Sequence, residues 1–130
     1  MGASVNPPYR LRFEERVDYL FVEVTSLEDS AAITLASWLD IAAECERRGA
    51  RRLLMVDRQL GNSPNAQELV GIVHALKSTV LARMRIAMFE PRPEQLPRLE
   101  HAELEAIEVG ASFRVFNSLR AAEVWLRYGD

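Results

Sequence analysis

The chain patterns as an α/β fold: a mixed, mostly parallel five-stranded sheet with an antiparallel N-terminal hairpin and about four helices. Three observations predict this. Short apolar runs alternate with longer stretches whose apolar residues recur every three or four positions, an order that implies right-handed crossovers between parallel strands. The first two runs are separated only by a charged turn, which marks a hairpin. The length, 130 residues, suits one domain, and a chain of that size buries roughly two-thirds of its unfolded surface.

Residues 1–8 carry Pro7 and Pro8 without periodicity and read as a loose arm, leaving 9–130 as a single domain. Tyr9, Leu11 and Phe13 alternate with Arg10, Arg12 and Glu14, the period of a half-exposed strand. After the turn from Glu14 to Asp18, YLFVEV is apolar on both faces, as in a strand covered on both sides. Asp29 and Ser30 offer an N-cap for a helix with Ala31, Leu35, Trp38, Ala42 and Cys45 on its inner face. Arg47 and Arg48 suit its last turn, and Gly49 ends it.

LLMVD is a short buried strand. A second helix is expected from about Asn65 to Leu81, with Leu69, Ile72, Val73, Leu76 and Val80 inward. RIAMFE is the next strand. Pro91, Pro93 and Pro97 break the chain into a turn and a short helix around Leu96 to Leu104. FRVF is the last strand, followed by a helix capped by Asn117 or Ser118 and carrying Leu119, Ala122, Trp125 and Leu126.

Composition narrows the function. The net charge of −3 argues against nucleic acid, which needs a basic face. No apolar run approaches the roughly 20 residues of a membrane span. The start MGASVNPPYR lacks the regions of a signal peptide, so the cytoplasm is the expected location. The lone cysteine, Cys45, sits on a helical apolar stripe and reads as a small core residue. His74 and His101 have no metal-ligand spacing, so no metal is expected. GNSPN lacks the lysine of a phosphate loop and the repeated glycines of a dinucleotide site, so no cofactor is expected either. Arg47, Arg48, Arg51 and Arg52 form a small basic cluster, read as a helix end running into a strand.

The segments YLFVEVTS, LLMVD and FRVFNSLRAAEVWLR, with the Ala-rich helix after the first, resemble the STAS superfamily, and within it the SpoIIAA-like group of small bacterial proteins. The resemblance runs from about Tyr9 to Tyr128. It implies a non-enzymatic regulatory or protein-interaction module. In the phosphorylated members the third strand ends in Asp, and a Ser or Thr follows closely at the next helix, where phosphorylation breaks a complex. Here that strand ends in Asp57, but Arg58 and Gln59 follow and the first hydroxyl is Ser63. A second branch of the resemblance, to lipid-transfer proteins of the SEC14 type, implies an apolar small molecule as ligand.

Ser63 is therefore either a possible phosphorylation site or a helix cap. Pro64 after it suits a first helical position, while Asn65 with Glu68 reads as a capping box. Capping explains the composition without further assumption and is preferred. Ligands of open α/β sheets bind beyond the carboxyl ends of parallel strands. Two loops leave that edge here, RQLGNSPN and EPRPEQLP. They bring Asp57, Arg58, Gln59 and Ser63 toward Glu90 and Arg92, which form the expected site for a ligand or partner. The plainer expectation for any one of them is a solvated loop residue. A phosphate-transfer enzyme using Asp57 fits poorly, because the first strand's end offers no acidic cluster for magnesium. A homodimer, through the edge hairpin with Tyr9, Leu11 and Phe13 or through the helix faces beside it, is the remaining partner expectation.

Overall fold

The computed structural model describes residues 8–129. The expected arm at 1–8 lies outside the described residues apart from Pro8. The hairpin consists of β1 (Tyr9–Glu15) and β2 (Leu20–Ser26), paired antiparallel from Tyr9↔Ser26 to Glu15↔Leu20. Three parallel strands follow, β3 (Arg52–Gln59), β4 (Arg85–Phe89) and β5 (Ser112–Phe116), and the sheet order is β1-β2-β3-β4-β5. The helices are α1 (Ala31–Arg48), α2 (Ala66–Leu76), α3 (Leu96–Glu108) and α4 (Leu119–Tyr128). No helix among the described residues is long and apolar enough to cross a membrane.

Strand pleating divides the core in two. Val22, Val24, Leu53, Met55, Ile86 and Met88 face α1, α2 and α3, whose Trp38, Ile41, Leu69, Ile72 and Leu99 complete that layer. Phe21, Leu54, Val56 and Ala87 face the other way, onto Ala122, Trp125 and Leu126 of α4. Three helices thus cover one face and one helix covers the other. The side chains expected at a dimer edge are used internally: Tyr9 is buried and its hydroxyl donates to Asp40, while Leu11 and Phe13 pack on the three-helix side.

Helix α1 begins where Ser30 accepts the Ile33 amide at 3.1 Å and ends at Gly49, whose φ of 68° puts it in the left-handed region. Its inner face differs from the expected one. Ile33, Thr34, Ser37, Trp38, Ile41, Ala42 and Cys45 are buried, and Ala31 and Leu35 are only half so. Ser37 is tolerated inside because its hydroxyl donates to the Thr34 carbonyl at 2.9 Å.

Helix α2 stops at Leu76, five residues earlier than expected. The Thr79 hydroxyl donates to the Leu76 carbonyl at 2.7 Å and accepts the Leu81 amide at 3.3 Å, ending one helix and starting a separate 3₁₀ turn, Val80–Arg83. Val80 therefore lies outside α2, and only Leu69 and Ile72 of the expected inner face are fully buried. Helix α3 runs on to Glu108, beyond the expected end near Leu104, because Leu99, Ala102 and Ala106 continue its buried stripe. In α4, capped by Ser118, Leu119 faces solvent rather than the core.

Candidate functional site

The site lies on the three-helix face, at the carboxyl ends of β2, β3 and β4. Val56 pairs with Phe89, so the next residues along these strands, Asp57 and Glu90, are neighbours. Asp57 shares the parity of Leu53 and Met55, so both carboxyls turn toward the helices. They are almost fully enclosed, with Asp57 2% and Glu90 0% exposed.

Two carboxylates this close and this dry cannot both be ionised. Burial first, then the hydrogen bond and charge of Glu90, push Asp57 up to about 8, and it is protonated at neutral pH. Its Oδ1 accepts the Gln59 backbone amide at 2.9 Å and the Gln59 side-chain amide at 3.1 Å. Glu90 Oε2 accepts the Arg92 backbone amide at 3.1 Å and Nε at 3.3 Å. The Arg92 guanidinium also donates to the Gly61 carbonyl, tying the β4–α3 segment to the β3–α2 loop. Burial opposes the Arg92 charge, yet Glu90 holds its pKa above the ordinary value.

The tie continues through Gln95. Its Oε1 accepts from the Ser63 amide at 2.8 Å and the Ser63 hydroxyl at 2.9 Å, and its Nε2 donates to Asn62 at 3.2 Å. Arg98 donates to the Ser63 carbonyl at 2.7 Å. On the other side Asp29 accepts from the Thr34 hydroxyl at 2.7 Å, and burial raises its pKa. No buried side-chain polar atom among the described residues lacks a partner.

Beneath this polar end lies a cavity of about 90 Å³. Its body is apolar, formed by Trp38 of α1, Met55 and Met88 of the sheet, Leu69 and Ile72 of α2, and Phe113 of β5. Asp29, Thr34, Asp57, Gln59 and Ser63 line one end. Lys77, exposed beyond the end of α2, stands at the other. The cavity exists because α2 packs mainly on α1 and α3, so that it roofs the sheet rather than pressing onto it.

Of the six residues expected at the site, the fold gathers five: Asp57, Gln59, Ser63, Glu90 and Arg92. Arg58 has the opposite strand parity, is exposed, and reaches Glu23 at 3.4 Å on β2. The expectation of solvated loop residues fails for Asp57, Gln59, Ser63 and Glu90, all buried. Ser63 is not the cap of α2. Asn65 accepts the Glu68 amide at 2.8 Å while Glu68 accepts the Asn65 amide at 3.0 Å, the reciprocal capping box. Gln95, Arg98, Asp29 and Thr34 complete the site; from sequence Asp29 reads only as a possible cap and Gln95 only as part of the loop EPRPEQLP.

Other groups singled out from sequence have structural places. Cys45 is buried and its thiol pushed up to about 11 by burial. Arg47 and Arg48 pair with Glu44 on their own helix. His74 pairs with Glu105 of α3 at the surface. Among the described residues no group of three or more His, Cys, Asp or Glu side chains is arranged to hold a metal ion.

The chain superposes over most of its length on a crystal structure of an uncharacterized protein of the DUF3478 family with a SpoIIAA-like fold, from Shewanella loihica PV-4. The TM-score is 0.53 at 13% identity, over 96% of this chain and 99% of that one. This chain has a SpoIIAA-like fold. At such low identity the likeness carries the fold alone. No protein-family model matches the sequence, and comparison with curated proteins gives no match. The SpoIIAA-like arrangement accounts for the antiparallel first strand, the parallel strands and the helices on both faces. The carboxyl pair and the cavity are properties of this chain's own side chains.

Proposed function

We propose that this SpoIIAA-like chain is a non-enzymatic binding module that takes a small apolar molecule into the hollow beneath α2. The observation that carries this reading is the cavity itself, roughly 90 Å³ of apolar-walled space where protein interiors are ordinarily close-packed. An unfilled hollow costs stability through lost dispersion contacts, and an occupant recovers them. The size suits a short alkyl chain, being below the roughly 150 Å³ of an engineered cavity known to accept benzene.

A phosphorylation switch at Ser63 is less well supported. Ser63 is 5% exposed and its hydroxyl is engaged by Gln95, so a kinase would first have to open the loop. Native mass spectrometry of the purified protein tests the proposal. The expected result is a non-covalent adduct that is lost on denaturation, or one formed on adding n-butanol. A clean mass under both conditions would contradict it.

A further inference from the structure

The polar end of the cavity gathers more carboxyls than cations. Three carboxyls converge there from three segments: Asp29 from the β2–α1 loop, Asp57 from β3 and Glu90 from the end of β4. Asp29 and Asp57 line the cavity directly. One guanidinium answers them, and Arg92 is already committed to Glu90 and the Gly61 carbonyl. Arg98 of α3 is turned to the Ser63 carbonyl, and Glu94 adds a further negative charge near Arg92. The remaining cation, Lys77, stands exposed at the opposite end of the cavity. In water its attraction for an anion is several-fold weaker than that of a charge at a partly dry site.

We propose that the occupant is an amphiphile with a cationic head, a short primary alkylamine in chemical class, with its chain under α2 and its ammonium against Asp57 and Asp29. The inference rests on the cavity being a ligand site. A carboxylate head would add a further negative charge beside Asp29 and the Asp57–Glu90 pair, and burying unpaired like charges is costly. A neutral alcohol would gain the apolar contacts without the charge pairing.

The carboxyl pair gives the interaction a proton signature. With the cavity empty, Asp57 keeps its proton because Glu90 lies beside it. An ammonium at Asp57 supplies the missing countercharge, so Asp57 releases that proton to solvent and pairs as a carboxylate. The amine itself stays protonated, since an alkylammonium resembles the lysine head, with a pKa near 10.4. Release of one proton per ligand makes amine affinity rise about tenfold for each unit of pH below the point where Asp57 ionises in the free protein.

The test is an NMR titration of the whole protein with n-butylamine, n-butanol and butyrate at pH 6 and pH 7. The indole N–H of Trp38 reports on the cavity and that of Trp125, on the opposite face, serves as the control. At pH 7 the expected order of affinity is butylamine, butanol, butyrate. Butylamine should tighten about tenfold from pH 6 to 7, while butanol stays level. In Asp57→Asn that pH dependence should fall well below tenfold, leaving only what Asp29 contributes. In Asp29→Asn, which keeps an acceptor for Thr34, the ratio of amine to alcohol affinity should fall. Butyrate binding as tightly as butylamine, or amine binding indifferent to pH, would overturn the amine assignment and leave the cavity reading intact. No binding by any of the three, butanol included, would overturn the cavity reading itself.

Discussion

Replacing Asp57 by Asn removes a proton that the folded protein holds and the unfolded chain does not. An Asp in an unfolded chain ionises near 3.8, whereas in the fold it ionises at about 8. Between those values the native state carries one extra proton, so this group's contribution to stability is fully present below 3.8 and is lost as pH rises toward 8. The slope is about 1.4 kcal/mol per pH unit, or roughly 3 kcal/mol between pH 5 and 7 as an order of magnitude. Asn has the same shape. Its oxygen can accept from Gln59, as Asp57 Oδ1 does at 2.9 Å, and its amide can donate to Glu90. Other groups contribute as well, among them Asp29, whose pKa burial raises and which acts in the same direction. Their effects are common to both proteins and cancel in the difference. Urea denaturation of wild type and Asp57→Asn at pH 5, 6 and 7, at one ionic strength, measures that difference. The variant should gain on wild type by about 1.4 kcal/mol per unit of pH. Stability curves that run parallel would refute the shared-proton account of the carboxyl pair.

Three further outcomes follow from the same geometry. Ser63→Asp places a charge in an enclosed position against Gln95 Oε1, which loses the hydroxyl donor and keeps only the backbone amide, so stability should fall by about 3 kcal/mol, read from urea midpoints; an unchanged midpoint would mean that Ser63 is not enclosed. Asn65→Ala breaks the capping box of α2 and should cost about 1 kcal/mol in the same assay, and no loss would show that the box is not formed. The thiol of Cys45, buried and raised to about 11, should react with a thiol reagent at pH 8 only in denaturant, and rapid native labelling would contradict the packing of α1.

The elements were legible where local chemistry decides them. Ser30 and Gly49 bracket α1 because capping and a left-handed turn depend on the residues themselves. The hairpin and the order of strands and helices along the chain follow from periodicity. The end of α2 was misjudged because apolar spacing continues past Leu76, while the Thr79 hydroxyl, a single polar atom, diverts the backbone. The site was legible as a rim, with Asp57 and Glu90 both at strand ends. Their burial was not. It depends on the register of β3 against β4, a pairing of residues 33 apart that sequence spacing leaves free. Gln95 lay in view within EPRPEQLP, yet its bonds to Ser63 and Asn62 arise only when two loops meet. Arg58 was misplaced for the simpler reason that it stands one residue out of phase with Asp57 on the same strand.

Labelling the methionine methyls with carbon-13 and adding n-butanol tests most directly whether the hollow under α2 receives an apolar guest. Met55 and Met88 line that space, while Met84 is buried in the same layer but away from it. The account predicts saturable shifts at Met55 and Met88 with Met84 stationary. Stationary signals at Met55 and Met88, or equal movement of all three, would contradict it.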